Sequence, residues 1–133
     1  MISFNGFKFT VNGYRKDNPV RFYLLDNEKN YLTYIILSES NGEKYIDKYI
    51  NGAKHHFNIS NKIDAFYNEI KDLEIEKWNM KTYESSMCWT PPADHWTFDI
   101  HIGDISVTCK GEGEVPHNWD KFWKAFNRMC NNG

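Results

Sequence analysis

His95, Asp99 and His101 stand at spacings of four and two, so in an extended chain all three side chains share one face. Asp99 and His101 could meet one divalent cation, and imidazole with carboxylate suits zinc or manganese. A plainer account competes. A sheet covered on one side shows water an alternating polar row on the other, and no third ligand follows at a fixed spacing. No metal and no cofactor are therefore expected, with His95, Asp99 and His101 as the residues to inspect.

Other candidates carry less chemistry. His55 and His56 are adjacent, so on a strand their rings point to opposite faces and cannot chelate jointly. His117 precedes the last expected helix and needs a partner within reach to act as a general base; the sequence identifies none. Gly111-Glu112-Gly113-Glu114 is not a phosphate loop, because two carboxylates repel phosphate, and its glycines suit a bend between strand and helix. No nucleophile elbow, HExxH, P-loop or dinucleotide fingerprint is present. The balance leans away from an enzyme.

The elements that must position these residues are clearest in the last third. Trp96, Phe98, Ile100 and Ile102 alternate with His95, Thr97, Asp99 and His101, a period of two that predicts a strand. Gly103-Asp104 suits a tight turn. It sets Ile102 opposite Ile105, Ile100 opposite Val107 and Phe98 opposite Cys109, with both apolar rows on one face. A slip of one residue would destroy that match. After the bend, Asn118 is a candidate N-cap, and Trp119, Phe122, Trp123, Phe126, Met129 and Cys130 form the apolar face of a helix.

Upstream, Phe7, Phe9 and Val11 alternate with polar residues, and strands are expected over 20–25, 31–38 and 43–50, the first two joined by a turn at 26–30. Asn51-Gly52 signals a hairpin leading into His55-His56-Phe57. A helix is expected to start near Ser60, a good N-cap residue, and carries Ile63, Phe66, Tyr67, Ile70 and Leu73 on one stripe. A further strand is expected over 82–88. Trp89-Thr90-Pro91-Pro92 must be a loop, since prolines donate nothing to a ladder. The expected class is α+β: one domain over 1–133, with a mostly antiparallel meander sheet and two helices packed on one face. It closes with a C-terminal β-hairpin followed by an aromatic-faced helix.

Composition narrows the functional classes. The 133 residues carry 16 Lys and Arg against 18 Asp and Glu, a formal charge of −2, with no basic run. Phosphate neutralisation needs a basic face, so no DNA or RNA partner is expected. Cys88, Cys109 and Cys130 lie far apart with no CxxC, which disfavours a zinc knuckle and suits reduced thiols in the cytoplasm. Met1 leads directly into strand-like sequence, and no apolar run has the length of a signal or membrane-spanning segment, so no membrane association is expected.

Trp96-x-Phe98-x-Ile100, then Gly111, then Pro116-x-Asn118-Trp119-x-x-Phe122 resembles the C-terminal signature of small uncharacterised α+β proteins from low-GC bacteria, their phages and mobile elements. The likeness covers about a quarter of the chain, and Gly113 departs from it where the signature has Asn. It implies an accessory factor, an inhibitor or immunity-type binder. Aromatic residues make up 17% of the chain, and exposed Trp and Tyr are favoured binding anchors. Trp89 in its loop, with Tyr45 and Tyr49 flanking Asp47 on one strand face, are the candidate contact residues. The leading expectation is a cytoplasmic protein that occludes a partner protein. The alternatives are a small-molecule binder for a nucleotide signal, working by aromatic stacking at an oligomer interface, and a small metal-dependent hydrolase.

Overall fold

The computed structural model describes residues 2–12, 32–50, 52–84 and 95–131. The strand expected over 20–25, the turn at 26–30, Cys88 and the loop holding Trp89 lie outside the described residues.

Alternating apolar and polar side chains produce the strands. They are β1 (Phe4–Asn12), β2 (Leu32–Ser40), β3 (Glu43–Ile50), β4 (Ala53–Asn58), β5 (Thr82–Glu84), β6 (His95–Ile102) and β7 (Ile105–Glu112). Among the described residues these seven form one sheet in the order β4-β3-β2-β1-β6-β7-β5. Every neighbouring pair is antiparallel except β5 and β7, which run parallel. The chain is thus an α+β protein built on a mostly antiparallel sheet.

Local chemistry sets the registers. Asn41 and Gly42 take φ of 54° and 79°, the left-handed pair a two-residue hairpin needs, and Ser40 pairs with Glu43 across it. Ile102 pairs with Ile105, Ile100 with Val107 and Phe98 with Cys109, as the apolar alternation requires. In β1 a register shift between Phe4 and Gly6 changes the parity of the strand, so Phe4 and Phe7 are both buried.

Among the described residues two helices carry the other half of the core, α1 (Ile63–Lys71) and α2 (Trp119–Cys130). Phe126 of α2 stacks on Phe7 at 4.9 Å between centroids, and Trp119 lies 5.4 Å from Phe9 and 5.6 Å from Phe98. Phe66 of α1 stacks on Phe4 at 6.1 Å and meets Phe122 at 5.9 Å. Each such ring contributes about 1.5–3 kcal/mol by burial. A 3-10 turn (Ile75–Trp78) adds Trp78, which is buried and donates its Nε1 hydrogen to the His117 carbonyl at 3.1 Å.

Two helix starts differ from expectation. Ser60 does not cap α1. The helix opens after Lys62 with no side-chain cap, and the Ser60 hydroxyl oxygen accepts the Lys44 N–H of β3 at 2.9 Å. Ser competes for backbone partners wherever one lies near, and here the strand wins. Asn118 does occupy the N-cap position of α2, but at φ 69° its side chain makes no cap bond. Its Nδ2 instead donates to the Leu73 carbonyl at 3.4 Å. The strand expected over 82–88 is described only as β5, and it joins β7 at the sheet edge.

Candidate functional site

Residues of the parity opposite to Phe7, Phe9, Ile35 and Ile46 turn away from those buried side chains. On β3 these are Tyr45, Asp47 and Tyr49. They stand opposite Ser38, Ile36 and Tyr34 of β2 and opposite Asn58, His56 and Lys54 of β4. Three adjacent strands thus present a block of aromatic, acidic and basic side chains.

Asp47 sits at its centre and is only 5% exposed. His56 Nδ1 and Asp47 Oδ1 share a hydrogen bond. Burial alone would raise the carboxyl pKa. Hydrogen bonds from His56 and Ser38, with the charges of His56 and Lys54, outweigh it and hold the group below the usual carboxylate range. The imidazole of His56, whose side chain is 48% exposed, stacks on Tyr45 with centroids 4.1 Å apart and planes at 19°. Tyr34 and Tyr49 meet at 6.1 Å. Lys8 lies over the Tyr34 ring and Lys54 over the Tyr49 ring, at 5.7 and 5.9 Å.

Tyr45 and Tyr49 therefore share this block, while Trp89 lies outside the described residues. From the sequence, Tyr34 is not singled out, Asp47 enters only as the residue between the two tyrosines, and His56 only as half of an adjacent histidine pair. Counting back from the hairpin at Asn51-Gly52 pairs Ile50 with Ala53 and so Asp47 with His56, the signal that would have found them.

The histidine row of β6 is only partly drawn together. Asp99 Oδ1 lies 3.1 Å from His101 Nε2 and accepts from the Thr108 hydroxyl at 2.6 Å. His101 Nδ1 and Ser106 Oγ share a hydrogen bond of 2.8 Å. His95 stands apart, its Nδ1 3.7 Å from Glu112 Oε2. Among the described residues no three His, Cys, Asp or Glu side chains gather closely enough to hold a metal ion.

Chemically, the Asp47–His56 pair is an imidazole oriented by a buried carboxylate, the base half of a nucleophilic triad. Ser38 does not complete it, because its hydroxyl donates to Asp47 and not to the imidazole. What the arrangement does well is order: Asp47 fixes His56, His56 fixes the plane of Tyr45, and the lysines hold the other two tyrosine rings. Held aromatic rings lose little conformational freedom on contact with a partner.

Among the described residues no helix is long and apolar enough to cross a membrane. Comparison of the chain with models of protein families, with curated proteins and with solved structures finds no match.

Proposed function

We propose that this chain is a small cytoplasmic protein-binding factor of the inhibitor or immunity type. It acts by covering the functional surface of a partner protein. In this reading both helices pack on one face of the sheet, and the opposite face, at β2, β3 and β4, meets the partner. The observation that carries the reading is the stack of Tyr45 on His56, ordered by buried Asp47, beside the Tyr34–Tyr49 pair. Tyrosines presented in fixed orientations suit interface anchors. The likeness of the C-terminal residues to small proteins of low-GC bacteria, phages and mobile elements supports an accessory role. Trp89 completes the proposed contact set.

The test is capture of partners from host lysate by the wild-type chain, by Tyr45→Ala/Tyr49→Ala and by a control, Lys124→Ala, on α2. The expected result is one stoichiometric protein that is held by the wild type and the control and lost with the double variant, while all three chains give the same circular dichroism. Equal capture by the double variant removes the tyrosine surface from the reading, and capture of no partner removes the reading itself.

A further inference from the structure

A second feature lies beside the tyrosine block, a cleft of about 390 Å³ between β1, β6, β7 and the chain leading into β5. Its size falls within the usual range for small-molecule sites, about 300–1,000 Å³. Two cross-strand rows make its floor. Lys8, Asp99 and Thr108 form one, and Thr97, Lys110 and Thr82 the other. They lie two residues apart along the strands, about 7 Å.

Met80 and Lys81 form the wall. Met80 donates its N–H to the Thr108 carbonyl at 2.7 Å, and Lys110 donates to the Lys81 carbonyl at 3.4 Å. The Thr108 N–H donates to Asn79 Oδ1 at 2.9 Å. So held, Met80 is 82% exposed and takes φ 63°, the left-handed region a non-glycine residue seldom adopts. The fold thus keeps an apolar side chain in water at the mouth of a cleft.

Three lysines, Lys8, Lys81 and Lys110, are among its lining residues. Among the described residues none of the three stands in an ion pair with a carboxylate. The one carboxylate in the lining, Asp99, already accepts from Thr108 and lies against His101. The local excess of positive charge runs against the formal net charge of −2.

We infer that this cleft binds a small phosphate monoester with an apolar body. The phosphate sits between Lys81 and Lys110, where the Thr82 and Thr97 hydroxyls supply further donors, and the body rests on Met80. Lysines bind phosphate as point charges. Lys8 closes the far side of the cleft. The site borders the tyrosine surface at Lys8, which also lies over the Tyr34 ring, but neither Tyr45 nor Tyr49 lines it.

The probe is phenyl phosphate, titrated into the 15N-labelled full chain and read by amide chemical shifts, with phenol and inorganic phosphate as comparison ligands. Saturable shifts confined to residues 80–82, 97–99 and 108–110 are expected, with binding at least tenfold weaker for phenol and for inorganic phosphate. Lys81→Gln/Lys110→Gln should weaken phenyl phosphate at least tenfold while keeping the dispersion of the wild-type spectrum. Lys124→Gln on α2 should change nothing. No saturable shift, shifts scattered over lysines of the whole surface, or unchanged affinity in the double variant would each overturn the site. Equal binding of inorganic phosphate would overturn the role given to Met80.

Discussion

Asp47 and Lys48 are consecutive residues of β3 and face opposite sides of the sheet. Both remove an ionisable group from water, by different means. Asp47 is met by His56 and Ser38, and its charged form is favoured. Lys48 stands opposite Ile35, with its Nζ 5.4 Å from the Phe57 ring centre, 5.8 Å from that of Trp123 and 5.3 Å from that of Phe126. Burial there disfavours the ammonium and lowers its pKa. The difference teaches that hydrogen-bond partners keep a buried ion charged, whereas rings tolerate one at a cost. Around Asp47 polar partners organise the sheet and around Lys48 ring packing does, and the two should fail in different ways.

The largest effect belongs to the ring side. Phe98 lies edge-on to Phe7, Trp78, Trp119 and Phe122 with centroids 5.2–6.0 Å apart, and it is 1% exposed. Phe98→Ala should lower unfolding free energy by about 3–5 kcal/mol, the usual cost of a large buried cavity. Chemical denaturation checks this, and a loss below about 1 kcal/mol would deny that these rings interlock.

Gly111 tests the same side by addition instead of removal. It pairs with Trp96, and a Cβ built there would meet the indole at 2.5 Å. The indole cannot swing aside cheaply, since it is buried and its Nε1 donates to the Glu114 carbonyl at 2.7 Å. Gly111→Ala should therefore cost roughly 1–3 kcal/mol by overpacking. In the double variant Gly111→Ala/Trp96→Phe part of that loss should return.

On the polar side, Asp47→Asn should cost about 2 kcal/mol, from the hydrogen bonds that a buried carboxylate accepts. Its pH dependence is diagnostic. The folded pKa of Asp47 lies below the unfolded value of about 3.9. Its stabilisation is therefore fully present above that unfolded value and is lost as pH falls through the folded one. The difference in stability between wild type and Asp47→Asn should shrink as pH drops below about 4. A difference that stays constant with pH would mean that the carboxylate charge contributes nothing.

Local pattern made much of this legible. Strict alternation specified β6 and β7 and their register, and Glu43–Ile50 is a strand with the bounds its turn residues mark. Long-range competition hid the rest. Ser60 looks like a cap until β3 offers it the Lys44 N–H, and Asn118 looks like a capping side chain until Leu73 arrives beside it. The edge pairing of β5 with β7 leaves no periodic trace in three residues. In the candidate site, Tyr45 and Tyr49 were readable from spacing, but the burial of Asp47 depends on a partner from the next strand. Lys48 falls among Ile46 and Ile50 by parity, yet the rings that enclose it come from β4 and from α2, more than seventy residues onward.

Lys48 yields the smallest expected effect and the sharpest contrast with its neighbour. Lys48→Met keeps the length of the chain and removes the desolvated charge, so it should raise stability at neutral pH by roughly 1 kcal/mol, less whatever the rings return to the ammonium. The sign of its pH dependence follows from the lowered pKa. Between the folded value and the unfolded value of about 10.4, the unfolded chain holds a proton that the folded chain lacks, so this group makes the wild type more stable as pH rises. Two buried thiols oppose it. Burial pushes Cys109 up to about 12 and Cys130 up to about 11. Both remain protonated in the fold while the unfolded thiols ionise above about 8.5, which removes stability with rising pH. In the wild type the two effects partly offset each other between the folded value of Lys48 and about pH 10.4. In Lys48→Met only the thiols remain. The variant should therefore lead the wild type at pH 7, hold no larger a lead at pH 9 and lose it near pH 10.5. Urea denaturation at those three values reads this directly. A lead that persists at pH 10.5 would place its origin in packing and not in the buried charge.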